Sequence, residues 1–149
     1  MSNIYLYLLL ALVAGAMMPM QAAVNNKMAA FVDGPALAAL ISFIVGTLAL
    51  VVYAAASGTA LGSLAEARNA PPIAWIGGLL GAFFVTATVI LIPRLGVALT
   101  FSAIIAGQMI VTLVIDHFGL LGIDEKPVSW PRFLGIALIT GGVILIRRF

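Results

Sequence analysis

Polar side chains interrupt this sequence only at wide intervals, and five long apolar stretches run between them. The hydrocarbon core of a bilayer is about 30 Å thick, and crossing it takes roughly 20 apolar residues of helix. The stretches at 4–23, 35–56, 72–92 and 96–115 meet that length, and a shorter fifth lies at 131–146. The pattern predicts an all-α, polytopic membrane protein, with five transmembrane helices in a single domain over residues 1–149. The short fifth helix is expected to tilt little or to thin the bilayer around it.

The boundaries carry their own signals. Asp33-Gly34-Pro35 and Ser129-Trp130-Pro131 each offer a capping residue followed by a proline, which suits a helix start. Trp75 and Trp130 fall near expected membrane edges, where indole rings favour the interface. Pro93-Arg94-Leu95-Gly96 leaves room only for a tight turn, so spans three and four are expected to be antiparallel neighbours. The first stretch reads as a retained helix rather than a cleaved signal peptide. Met1-Ser2-Asn3 brings no positive charge ahead of it, and the apolar run is long. Pro19 is expected to kink that helix, because proline removes one helix hydrogen bond and crowds the preceding turn.

Composition removes several function classes. The 149 residues are 64% hydrophobic and 8% charged, against roughly 45–50% and about 25% in soluble domains. The lipid bilayer is therefore the expected surrounding. Cysteine is absent, which excludes disulfides and thiol-based redox or metal sites. His117 is the single histidine, so no histidine cluster for a metal can form within one chain, and no cofactor is expected. The net charge of +2 is scattered without a basic cluster, which argues against nucleic acid. There is no G-x-S-x-G, H-E-x-x-H or P-loop, and no paired carboxylate deep in a span, so the chain does not read as an enzyme.

Lys and Arg asymmetry normally fixes orientation. Here Arg68, Lys126 and Arg132 fall on the side of the N-terminus, and Lys27, Arg94, Arg147 and Arg148 on the other. So even a distribution leaves two readings open: a weak preference for the C-terminus inside, or insertion in both orientations with pairing between inverted copies.

Small residues mark where membrane helices approach closely, because lipid supplies little hydrophobic drive between them. Gly77 and Gly81 form a G-x-x-x-G, Ser42 and Gly46 extend a small-residue stripe in the second span, and Gly107 and Gly141 do so in the fourth and fifth. Each stripe fits packing within the chain or against a partner. Polar residues inside spans are costlier and tend to face a cavity or a partner. Met17, Gln21 and Asn25 share one helix face, as do Gln108, Thr112 and Asp116. The threonine hydroxyl can be satisfied by its own helix backbone, whereas the mid-span amide of Gln108 needs partners. Asp116 reads either as an interfacial carboxylate at a helix end or as a proton-coupling group.

Several of these groups recur together in one known pattern. It comprises Gln21-x-x-x-Asn25, Pro35 through Ser42-Phe43-x-x-Gly46, the run from Trp75 to Val85, Pro93-x-Leu95-Gly96, Gly107-Gln108 and Asp116-His117-Phe118-Gly119-Leu120. Over essentially the whole chain this resembles the small YdcZ-like membrane proteins, a five-helix branch of the drug/metabolite transporter superfamily. The resemblance implies a multi-pass protein of the bacterial cytoplasmic (inner) membrane, forming one half of a ten-helix inverted-repeat architecture. It favours an antiparallel homodimer over a single orientation. Four-helix multidrug relatives use a glutamate in the first helix to exchange drug for protons. No carboxylate stands in the first span here, so that coupling does not carry over.

The expected function is then small-molecule transport or export by alternating access in a dual-topology homodimer, with the substrate unassigned. An accessory or scaffolding membrane protein that moves no substrate is the alternative.

Overall fold

A computed structural model of the chain describes residues 4–149, and Met1-Ser2-Asn3 lies outside the described residues. Four helices dominate: α1 (Ile4–Ala29), α2 (Pro35–Ala56), α3 (Pro72–Phe118) and α4 (Trp130–Arg148). Short 3-10 segments occupy Leu61–Asn69 and Leu120–Gly122, and no strand occurs among the described residues. All four long helices are long and apolar enough to cross a membrane.

The helix boundaries differ from the expected ones in instructive ways. Helix α2 starts and ends where the apolar pattern does, with Pro35 in its first turn and Gly34 ahead of it at φ 95°. Helix α1 continues through Pro19 and past Ala23 to Ala29. The connection 57–71 is not a plain loop, since Leu61–Asn69 winds into an exposed 3-10 segment. Helix α3 has 47 residues, which at 1.5 Å per residue would make a straight rod of about 70 Å, more than twice the hydrocarbon thickness. It is not straight in the helical sense. Gly96, at φ 75° and ψ 166°, breaks it into limbs 72–95 and 97–118.

Two compact units meet in the chain next to that break, Met1–Arg94 and Leu95–Phe149. In the first, the buried residues gather at one level. They are Ala22 and Asn25 of α1, Ala38 and Ala39 of α2, and Val85, Thr88 and Val89 of α3. Three of the seven are alanines, as expected where backbones approach closely. Thr88 is held within its own helix, and Asn26, beside the buried Asn25, is held across helices. Thr88 Oγ1 donates to the Val85 carbonyl at 2.8 Å, and Asn26 Nδ2 donates to the Val89 carbonyl at 3.1 Å. That last bond fixes the end of α1 against the end of the 72–95 limb. One turn earlier on α3, Gly81 faces the Phe43 ring, which an added Cβ would meet at 3.4 Å, in ordinary van der Waals contact.

Ala38 is fully enclosed at 0% exposure. Enlarging it to leucine adds methylenes where no space exists, which costs about 1–3 kcal/mol in a packed interior. Ala38→Leu is expected to lower the thermal midpoint of the detergent-purified protein. An unchanged midpoint would mean that α1, α2 and the first limb of α3 are not held together at this level.

The second unit is a helical hairpin. The 97–118 limb begins with Thr100, whose hydroxyl donates to the Gly96 carbonyl at 2.7 Å and is fully buried. The return toward α4 is tight, with Gly119 at φ 58° and Gly122 at φ 81°. Trp130 opens α4 and stacks on Phe133, with ring centroids 5.6 Å apart.

Candidate functional site

Within the first unit, the polar stripe of α1 borders a groove closed on its other side by α2. Met17, Gln21, Val24, Asn25 and Ser42 line it, and its volume is about 460 Å³. A smaller groove of about 220 Å³ adjoins it, sharing Gln21 and Ser42 and adding Phe43, Gly46 and Thr47. The helical period explains the first wall, since residues four apart recur on one face. The second wall follows from the antiparallel return of α2 through the turn at 30–34, where Ala30 N–H reaches the Lys27 carbonyl at 3.2 Å and Phe31 N–H the Met28 carbonyl at 2.9 Å. Apart from the Gln21, Asn25, Ser42 and Thr47 side chains, the lining is apolar, and no charged group contributes to either groove.

The structure therefore brings Met17, Gln21 and Asn25 together on one groove, and adds Ser42, which the sequence marks only as a packing residue. Their burial differs along the stripe. Met17 is half exposed, Gln21 is exposed, and Asn25 is buried at 5% exposure. The Asn25 Nδ2 atom is buried with no hydrogen-bond partner. Its neighbour Asn26 has one, the Val89 carbonyl.

The second stripe, Gln108, Thr112 and Asp116, lies in the second unit, and Thr112 and Asp116 share a groove there that Gln108 does not line. Gln108 is exposed, and its carbonyl accepts from Thr112 Oγ1 at 2.8 Å, so the threonine is satisfied by its own helix. Thr112 and Asp116 border an apolar groove against α4 together with Met109, Gly135 and Arg132. Asp116 faces Arg132, with Oδ2 to Nη1 at 3.4 Å, in a partly exposed pair. The same arginine donates to the Lys126 carbonyl at 3.2 Å, and Lys126 N–H donates to the Asp116 carbonyl at 2.7 Å. His117 completes the cluster by accepting the Val128 N–H at Nδ1, 3.2 Å away. These bonds pin the 119–129 connection to both helices of the hairpin. The pairing of residues sixteen positions apart has no signature in the sequence, because nothing local ties Arg132 to Asp116.

The packing glycines also divide. Gly81 abuts Phe43, whereas a Cβ added at Gly46, Gly77, Gly107 or Gly141 would meet nothing within 4 Å. Gly46 instead widens the smaller groove.

Comparison with known proteins places this architecture. Residues 6–145 match the family described as "Putative inner membrane exporter, YdcZ". The inner membrane protein YdcZ of Escherichia coli (strain K12) is 34% identical over 73 residues, which is 49% of this chain. The chain spans about half the length of that curated relative, the matched share being 49%. No solved structure matches. The family match extends from the first turns of α1 almost to the end of α4, and the chain belongs to the YdcZ family of inner membrane proteins.

Proposed function

We propose that the chain exports a small molecule across the inner membrane, as an antiparallel homodimer working by alternating access. The observation that carries this is the α1–α2 groove, where amide and hydroxyl groups stand on a helix surface that is otherwise apolar. Polar groups in a span are costly and are kept where a cavity or a partner uses them. Membership of a family described as inner membrane exporters supports the same reading.

The length of α3 supports five crossings, one in each limb and three from the other helices. A five-crossing chain is suited to be one half of an inverted pair, and many transporters place their substrate between such halves. Two inverted copies then supply ten helices and two equivalent grooves.

Cells producing the wild-type chain are expected to accumulate less of at least one compound from a panel of fluorescent amphipathic molecules than cells producing Gln21→Ala. The variant removes one amide from an exposed position of the groove, so its expression level should match the wild type. Equal accumulation across the panel in both strains would favour an accessory role without transport.

A further inference from the structure

The Asn25 amide is out of keeping with its surroundings. The residue is 5% exposed, borders the larger groove, and its Nδ2 has no partner. A buried donor left unmade destabilises the fold that contains it, yet at the adjacent Asn26 this helix end gives the amide nitrogen an acceptor, the Val89 carbonyl. We propose that the α1–α2 groove recognises an uncharged amphipathic molecule through a carbonyl or hydroxyl oxygen that accepts a hydrogen bond from Asn25 Nδ2. The proposal rests on the export reading for its purpose and names the substrate class of that site.

Three properties define the class. The groove has no charged lining residue, so a formal charge on the occupant would lose its hydration without a counterion. Its volume of about 460 Å³ falls within the roughly 300–1,000 Å³ of small-molecule sites. The Met17, Met18 and Met20 side chains that border it are unbranched and polarizable, a wall that adapts to an irregular apolar body. Gln21 and Ser42, shared with the adjoining groove, lie where a second polar group of a longer molecule would reach. Binding requires the enclosed Nδ2 to turn to the occupant, and the Asn25 χ2 torsion is of the broad terminal kind that permits such a turn.

The test uses the full chain, labelled with 15N at asparagine side chains, in bilayers of diether phospholipid, which carries no ester carbonyl. The probes are 2-octanone, octane, octanoate and tetraphenylphosphonium. Saturable displacement of the Asn25 side-chain resonances by 2-octanone, and not by octane or the cation at equal loading, is the expected result. Asn25→Leu, close in volume, should weaken 2-octanone binding to the remaining groove by about tenfold, the equivalent of one hydrogen bond to a buried group. The same variant should raise the thermal midpoint of the unliganded protein, because the unpaired donor is gone. An amide with a purely structural role gives the opposite sign, a lower midpoint and unchanged binding, and that would overturn the proposal.

Two other occupants would also overturn it. Loss of the 2-octanone response in diester bilayers would assign the amide to a lipid carbonyl. Loss of cross-linked dimer in Asn25→Leu, with binding intact, would assign it to a second copy of the chain. Export is scored separately. Binding that needs Asn25 but produces no flux removes the transport reading and leaves this site standing. Flux and affinity that both survive Asn25→Leu remove the site and leave transport standing.

Discussion

Gly96→Ala is expected to cost about 1–3 kcal/mol, the penalty for a side chain in a backbone region open essentially to glycine alone. Gly96 sits at φ 75° and ψ 166° between the two limbs of α3, and a Cβ there would meet no neighbouring atom within 4 Å. The cost is therefore backbone strain without any steric collision. One escape from the strain is for the chain to become helical at this residue. That would join the limbs into the rod of about 70 Å that 47 residues imply, which no bilayer of about 30 Å accommodates. Either route lowers the yield of folded protein, read by size-exclusion of a fluorescent fusion, and lowers its thermal midpoint. Gly107→Ala is the matched control. Gly107 lies inside the 97–118 limb, and its added Cβ would also meet nothing within 4 Å. Alanine is favoured over glycine there by roughly 0.5–1 kcal/mol. The same methyl group is thus expected to act with opposite signs eleven positions apart. Equal stability of the two variants would show that the break at Gly96 is not required.

A reporter fused after Phe149 is expected to report two populations, C-terminus inside and C-terminus outside, in comparable amounts. The basis is the near balance of basic residues, Arg68, Lys126 and Arg132 against Lys27, Arg94, Arg147 and Arg148, since their asymmetry sets orientation. The exposed 3-10 segment Leu61–Asn69 offers positions where charge can be added without disturbing packing. Ser63→Lys and Ala67→Lys, combined with Arg147→Ala and Arg148→Ala, change three against four into five against two. This variant should insert with the N-terminal side inside almost exclusively, so a reporter active only in the cytoplasm falls to background. Export should fall with it, because no inverted copy remains. Co-production of a variant biased the other way should restore export, and that rescue separates lost pairing from damaged folding. A wild-type reporter found on one side only would rule out the antiparallel homodimer.

Apolar run length made the helices readable, and it did so best where a local stop signal coincided with the end of the run. Helix α2 shows this, with Gly34-Pro35 at its start and Ser57-Gly58 just after its end. Run length was less informative at Pro19. A proline leaves one carbonyl in the preceding turn unpaired, and membrane helices absorb that without ending, so α1 runs on to Ala29. The turn expected over Pro93 to Gly96 contracts to a single non-helical residue, since glycine alone can supply the required φ. The two polar stripes could not be ranked from spacing. Met17-Gln21-Asn25 and Gln108-Thr112-Asp116 have the same period, but only the first ends in a buried, unpartnered amide. What separates them is the helix that packs alongside, and helix pairing is not written in either stripe. The Asp116–Arg132 pair was unreadable for the same reason.

The first unit concentrates its buried residues at the level of the Asn26–Val89 hydrogen bond, while α1 from Ile4 to Gly15 is exposed throughout. Tolerance to substitution is consequently graded along the helices. Near Ala22, Ala38 and Ala39 the unit's own fold admits only short side chains. Toward the start of α1 it asks for little beyond hydrophobicity, so leucine, isoleucine, valine and phenylalanine can exchange freely there. Mutational drift in this chain should be fast at one end of the helices and nearly arrested at the other, and residue identity at the slow end carries more information about the fold than the long apolar runs that first disclose it.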